Sequence, residues 1–444
     1  MSGSSTPLLD VAKNAVALAQ RSGAQEAIAA THRTREVEIG WRDGAIEKVS
    51  ESTSRGLSLA LYVDGRYSAV STSDLRPEAL ASFVAESVVM ARALAPDEHR
   101  TLPDPKLYEG RSNADLKSHD PAYRELTAAK RRELAEELEE AARSLEGKGR
   151  IQSVSTSVSD SESESARVTS NGFEGERKST SYWLGAHVTV LDPDGRRPDG
   201  SSFVGARFFG DLPEVRGVGR EATQRAYDCI GAAKIPSLVC PLVVENRVSS
   251  RLVRALLGPL GGRALQQKQS FLEGKLGQSI ASPLLSITDD PFIPKGFGSR
   301  HYDSDGISAK KFSVLEKGVL KSYYVDDYYG RKLGMAPTTS GPSNLVFGLG
   351  KKSLDELIAE VGDGILVTGF LGGNTNSITG DYSLGVQGFR IEKGNRTTPI
   401  GEMNISGNQL ELWKKLRAVG NDPYAYSTMF TPSMVFDGVQ FAGA

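Results

Sequence analysis

The sequence predicts an α+β fold, with an N-terminal α/β lobe over residues 1–235 followed by a strand-rich, barrel-like C-terminal lobe over residues 236–444. Three observations predict it. Stretches with helical periodicity and stretches with two-residue alternation take turns through the first half. Asp-Gly and Asn-Gly pairs punctuate the alternating runs. The last third consists of short apolar runs separated by glycine turns.

The first element is an amphipathic helix. Leu8, Val11, Ala12, Ala15, Leu18 and Ala19 recur at its spacing, and Gly23 stops it. Strands follow at Ala27–Thr31 and Glu36–Trp41, leading to an Asp43-Gly44 turn, then at Leu57–Val63, leading to Asp64-Gly65. A helix from about Pro77 to Ala93 covers this sheet, and Pro96–Pro121, rich in proline and charge, is a connection. Ala122–Leu145 reads as a helix with Leu134, Leu138, Ala142 and Leu145 on one side. Its charge run, Arg131 to Glu140, alternates sign at spacings that pair on a helix surface and is expected to be a solvated face.

Strands return between Ile151 and Phe209. Val154, Thr156 and Val158 alternate with serines, and Trp183–Leu191 alternates after an Asn171-Gly172 turn. The serine-and-glutamate run Ser159–Ser165 is expected at a strand edge or in an exposed loop. A helix from Glu214 to Ala232, a buried strand within Pro236–Glu245 and a helical block over Asn246–Gln267 come next. The chain finishes with glycine-punctuated strands, a short helix at Gln409–Leu416 and a last strand at Ser433–Phe441.

The bulk numbers remove several function classes. A chain of 444 residues has material for two or three cores, and 39% hydrophobic with 24% charged residues is a soluble, globular balance. Net charge of −2 gives no overall positive field for nucleic acid or an anionic membrane. No apolar h-region follows Met1–Thr6, and runs such as Leu238–Val244 are too short to cross a bilayer. Two cysteines, Cys229 and Cys240, are too few for a disulfide scaffold and are read as buried, ordinary thiols. The expectation is a cytoplasmic protein.

Familiar catalytic motifs are missing. Gly350-Lys351-Lys352-Ser353 lacks the glycine and the Ser/Thr placement of a phosphate loop, and no G-x-S-x-G elbow occurs. Asp303–Gly306 opens like a calcium loop, but Ile307, Ser308 and Val314 stand where a ligand, glycine and glutamate are needed, so a polar turn is expected. None of His32, His99, His119, His187 and His301 lies close enough to another to form a paired-histidine metal helix.

The C-terminal half carries a recognisable series. It runs from Ser270-Phe271-Leu272-Glu273-Gly274 through Lys275-Leu276-Gly277-Gln278 to Ser286-Ile287-Thr288-Asp289-Asp290. Gly318-Val319-Leu320, the tyrosine-rich Tyr323–Tyr329 and Thr339-Ser340-Gly341 follow. The most specific piece is Asn374-Thr375-Asn376-Ser377-Ile378-Thr379-Gly380-Asp381-Tyr382-Ser383, and the end reads Pro432-Ser433-Met434. Together these residues resemble the TldD/PmbA family, and particularly its PmbA (TldE) branch.

The resemblance carries expectations. The TldD branch has a helix motif HExxxH, with a further zinc ligand from a cysteine near the C-terminus. The equivalent stretch here is Arg254-Ala255-Leu256-Leu257-Gly258-Pro259, and Tyr424-Ala425-Tyr426-Ser427 has no cysteine. The implied protein is a metal-less, non-catalytic subunit, a pseudoenzyme that binds no cofactor itself. It pairs with a TldD-like metallopeptidase subunit that carries zinc, and it encloses that partner's active site for unfolded or modified peptides. Asn374, Thr375, Asn376, Ser377, Thr379 and Asp381 are the candidate peptide-cleft residues, with plain turn-making as the competing reading. The tyrosines at 323, 324, 328 and 329 are either an interface or ordinary core and rim. An alternative is a homodimeric peptide-binding scaffold without catalysis. A third reading is maturation of a modified peptide with a partner's chemistry. Nucleic-acid regulation, attached to this family in name, is disfavoured by the neutral charge.

Overall fold

The computed structural model describes residues 6–147 and 149–443, so most of the polar Met1–Thr6 stretch lies outside the described residues. The N-terminal elements are α1 (Leu8–Arg21), β1 (Glu26–Arg42), β2 (Ala45–Val63), β3 (Arg66–Thr72), α2 (Pro77–Ala91), α3 (Ala128–Arg143), β4 (Arg150–Thr169), β5 (Glu174–Leu191), β6 (Asp199–Ala206) and α4 (Val215–Asp228). The strands form one antiparallel sheet in the order β3-β2-β1-β4-β5-β6. Both predicted Asp-Gly pairs make its hairpin turns. Asp43 and Gly44 have φ of 48° and 85°, and Asp64 and Gly65 have 49° and 71°, the left-handed pair a two-residue hairpin requires. The two strands expected before Asp43 are one strand of 17 residues.

All four helices cover one face of this sheet. Leu57, Leu59, Leu61 and Val63 of β2 pack with Ala12, Val16, Leu80 and Val84 of α1 and α2. Leu134 and Leu138 of α3 pack with Ile39, Val158, Leu184 and Val218. Each of these leucine, valine and isoleucine side chains contributes about 1.5–3 kcal/mol by leaving water.

Two polar expectations are corrected here. The run Ser159–Ser165 lies inside β4, paired to β1 on one side and β5 on the other, so it is central rather than at an edge. Alternation explains this. Its serines take the face opposite the helices, while Asp160 and Glu162 point under α3 and its preceding loop and are buried. The charge run of α3 is likewise not wholly solvated. Arg132, Glu133 and Glu140 are exposed, but Arg131 and Glu139 are buried, Arg131 on Asp160 and Glu139 on the Trp41 indole N–H and the Gly44 amide. Both residues lie on the helix face that meets the sheet, where distant strands supply their partners.

The C-terminal elements are β7 (Leu238–Val244), α5 (Asn246–Leu257), α6 (Gly262–Gln266), β8 (Ile287–Asp289), β9 (Phe312–Glu316), β10 (Val319–Leu320), α7 (Asp327–Leu333), β11 (Leu345–Phe347), α8 (Leu354–Val361), β12 (Gly364–Thr375), β13 (Asp381–Glu392), β14 (Asn395–Asn408), α9 (Gln409–Lys414), β15 (Leu416–Val419), β16 (Met429–Phe430) and β17 (Met434–Ala442). The helical block expected over Asn246–Gln267 is split where Pro259 removes a donor. β14, β13, β12, β7 and β17 pair in that order, and β14 pairs again with β17, which closes a five-stranded barrel. Leu242, Val244, Ile365, Val367, Val386, Ile405, Met434 and Phe436 fill its core. α8 covers a strip of its outer wall made of Val243, Leu366, Phe389 and Val435. A second sheet, β10-β9-β8-β11-β16, holds the tyrosine-rich segment beside it. No helix among the described residues is long and apolar enough to cross a membrane.

Candidate functional site

β12 and β13 run on past the barrel as a hairpin that carries the predicted cleft residues. β12 pairs with β7 only through Ile365–Val367, whereas its pairing to β13 continues to Asn374↔Ser383 and Thr375↔Tyr382. Buried residues give way to exposed ones along β12 after Phe370, and Leu371 and Ile378 stand 53% and 54% exposed at the tip. The six candidates Asn374, Thr375, Asn376, Ser377, Thr379 and Asp381 are therefore brought together on one projecting loop.

Half of these side chains are committed to shaping the loop. The Asn376 Oδ1 accepts the amides of Ile378 and Thr379 at 2.9 and 3.3 Å, an Asx turn. Thr379 Oγ1 donates to Asp381 Oδ2 at 2.7 Å, and Asn408 Nδ2 donates to Asp381 Oδ1 at 3.0 Å. Asn408 first, and then Thr379, holds the Asp381 carboxyl below its ordinary pKa by bonding to the charged form. Gly380 takes φ of 83°, and a Cβ there would lie 3.2 Å from the Phe271 ring. The Ser377 carbonyl accepts the Phe271 amide at 2.9 Å, which ties the tip to the segment after α6. Asn374, Thr375 and Ser377 make no side-chain hydrogen bond among the described residues.

The hairpin lies beside α5. Arg251 Nη2 donates to the Gly373 carbonyl at 3.0 Å. The stretch 254–259 is the last turn of that helix and its exit, with Arg254 exposed and Leu256 in the core. Its side chains contain no nitrogen, sulfur or oxygen group suited to zinc. Among the described residues no three His, Cys, Asp or Glu side chains are grouped to hold a metal ion. The residues present do not fit that cofactor.

Other singled-out residues have plain structural partners. Asp303 accepts the amides of Asp305, Ile307 and Ser340, so the Asp303–Gly306 segment is a polar turn. Tyr323 and Tyr324 are core residues whose hydroxyls donate to the Leu272 carbonyl and to Asp289, and Tyr328 donates to Asp97 at 2.7 Å. Cys229 and Cys240 are free and half-buried rather than buried, and burial pushes the Cys240 thiol up to about 11. Sequence reasoning missed a second feature, an arginine-lined cavity beneath the serine face of the N-terminal sheet. The alternating serines before Arg167 were its only local signal.

Comparisons with known proteins follow this architecture along the chain. Models described as PmbA/TldA metallopeptidase domain 1, central domain and C-terminal domain match residues 30–91, 121–229 and 237–443. A structure from Bacteroides thetaiotaomicron, solved as a candidate modulator of DNA gyrase, is 41% identical, covers 98% of each chain and superposes with a TM-score of 0.94. The metalloprotease PmbA of Escherichia coli O157:H7 is 28% identical over 96% of this chain and 94% of its own. TldE from Thermococcus kodakarensis shares the fold, with a TM-score of 0.85 at 21% identity over 98% of this chain and all of its own. With three successive domain models matched in order and a full-length relative at this identity, the chain belongs to the PmbA/TldD metallopeptidase family.

Proposed function

We propose that this chain is the metal-less subunit of a TldD/TldE-type heteromeric metallopeptidase, one that walls a TldD-like partner's active site and holds the peptide. The observation that carries this reading is the donor-free turn 254–259 lying next to the candidate peptide hairpin, joined through Arg251 and Gly373. Hydrolysis chemistry would come from the partner's zinc. This chain would contribute position. Beyond Val367 the outer edge of β12 has left β7, so its backbone groups can receive an extended peptide as an added strand. The Asn374 amide and the Ser377 hydroxyl, both exposed, add hydrogen bonds that ignore peptide sequence. Such a site suits unfolded chains, whose backbones are accessible.

The test is metal content, mass in solution and peptidase activity of the chain alone and co-expressed with the TldD-like chain of the same genome. The reading expects a mixed complex with zinc at one site per pair, and cleavage only in that complex. Zinc or full activity in the isolated chain overturns it. A stable homodimer that ignores the TldD-like chain favours a peptide-binding scaffold instead.

A further inference from the structure

The helix-free face of the N-terminal sheet ends in a concentration of positive charge that peptide handling at the hairpin does not use. Ser155, Ser157, Ser159, Ser161, Ser163 and Ser165 alternate along β4 on this face, and the ladder finishes on Arg167. Pairing places His32, Ser165 and Arg177 in one row across β1, β4 and β5. The next row is Ser58, Ala30, Arg167 and Gly175. Arg300, Ser304 and Ser340 from the C-terminal loops close the opposite side, leaving a cavity of about 400 Å³. A neighbouring cavity of about 440 Å³ shares Ala30, Ser58, Arg167 and Ser304 with it, so the two form one trough.

The arginines here lack the carboxylate partner that several half-buried or buried arginines elsewhere have, although Arg207 too donates only to backbone carbonyls. Arg131 has Asp160, Arg225 has Glu245 and Arg331 has Asp327. By contrast, Arg300 donates to the Thr339 hydroxyl and the Gly341 carbonyl, and Arg177 donates to the Tyr302 carbonyl. Arg167 is half-buried and has no hydrogen-bond or ion-pair partner among the described residues. The cavity's carboxylate, Asp303, is 1% exposed and already accepts three backbone amides. The adjoining cavity is lined by Asp305, Asp326 and Asp327. Asp327 is paired with Arg331, and Asp326 accepts the Tyr329 amide. Asp305 is pushed up to about 7 by burial and then by Asp303 and Asp326, so it supplies only part of a negative charge near neutrality. Arg177 as a residue remains exposed, but burial around its guanidinium, partly countered by Tyr302, and then the charges of Arg300 and Arg167 hold its pKa below the ordinary arginine value.

We propose that this cavity binds the anionic group, carboxylate or phosphate, of a small ligand through Arg167, Arg177 and Arg300, with Ser58, Ser165 and Ser340 as hydroxyl donors. Guanidinium forks match both groups in geometry, and a space of this size admits a ligand of dipeptide or sugar-phosphate dimensions. The proposal does not depend on the subunit reading above.

The test uses the full chain, with inorganic phosphate, N-acetyl-Ala-Ala and N-acetyl-Ala-Ala-amide as probes, titrated calorimetrically and followed by thermal unfolding. Phosphate or the free-acid dipeptide should bind at least tenfold more tightly than the amide, and whichever binds identifies the preferred anion. Arg167→Gln should weaken that binding at least tenfold. Without ligand it should also raise the melting temperature, because it removes repulsion within the arginine group. Arg254→Gln, on an exposed helix turn, should change neither. Equal binding of acid and amide, no binding of either anion, or an undiminished response in Arg167→Gln overturns the proposal. If Arg167→Gln fails to fold, the conservative Arg300→Lys variant, which keeps charge but loses the fork, should still weaken binding, and unchanged affinity there overturns it as well.

Discussion

The Arg131 guanidinium clasps the Asp160 carboxylate between α3 and the centre of the N-terminal sheet, with Nη2 2.9 Å from Oδ1 and side chains only 3% and 0% exposed. Nη1 of the same arginine donates to the Leu126 carbonyl at 2.7 Å, which fixes the entry of the helix. Removing one partner leaves the other charge buried and alone. Arg131→Met should therefore cost about 3–5 kcal/mol in chemical denaturation, whereas the double variant Arg131→Met/Asp160→Leu should recover much of that loss. A double variant no more stable than the single one would show that the pair holds the interface by more than mutual neutralisation.

Two residues along β4, Glu162 gathers three nitrogen groups, two of them cationic. His119 Nε2 lies at 3.0 Å, Arg124 Nη2 at 2.8 Å and Lys178 Nζ at 3.5 Å. Burial raises the carboxyl's pKa, but hydrogen bonds from His119 and Arg124, with the Arg124 and Lys178 charges, outweigh it and bring the value to about 2. A depressed folded-state value means the stabilisation is complete above the unfolded glutamate pKa of about 4.3 and is lost as pH falls toward 2. Arg124 and Lys178 are 70% and 46% exposed, so solvent screening limits the contribution to about 1–3 kcal/mol. Unfolding free energies of wild type and Glu162→Gln should differ by this amount at pH 6 and converge by about pH 2. A pH-independent gap would assign the loss to packing instead.

These two carboxylates mark where the sequence stops being legible. Asp43-Gly44 and Asp64-Gly65 announced their hairpins because the left-handed conformation is demanded locally, within two residues. Leu8 to Ala19 announced α1 for a similar reason, since one helix stripe carries the whole signal. Asp160 and Glu162 read as surface because the groups that hydrogen-bond them, Arg131, Arg124 and His119, lie 29 to 43 residues away, on a helix and a loop that fold back over the strand. The same holds for the site. The Asn374–Ser383 loop was visible as a motif, but Arg167, Arg177 and Arg300 meet only through strand register and a loop from the other half of the chain.

The β12–β13 pairing in the barrel wall requires a close approach at Gly388 of β13. A Cβ there would fall 1.8 Å from the Leu366 carbonyl oxygen, where no rotamer change can relieve the clash. Gly388→Ala should cost about 3 kcal/mol or more, or prevent folding, because the β12–β13 backbones must separate. Gly401→Ala in β14 meets only the Ala232 methyl at 3.7 Å and should be neutral. Thermal unfolding of the two variants side by side checks the contrast.

The hairpin tip allows its two readings to be separated, because turn-making and peptide contact fall on different side chains. Asn376→Ala removes the Asx turn and should cost about 1 kcal/mol, felt locally as faster amide exchange at Ile378 and Thr379. Asn408→Ala should raise the Asp381 pKa toward the ordinary aspartate value, followed by carboxyl NMR titration, since Asn408 is the foremost cause of its depression. Neither result concerns peptide. Asn374→Ala combined with Ser377→Ala removes groups with no internal partner, so the melting temperature should hold within the range of a surface change. In the mixed complex proposed above, the peptide-holding reading expects that double variant to raise KM several-fold for an unfolded substrate and leave kcat nearly unchanged, because a contact made equally in ground and transition states affects binding alone. Unchanged KM in that complex would leave the loop as a turn and move the peptide contacts to the open edge of β12.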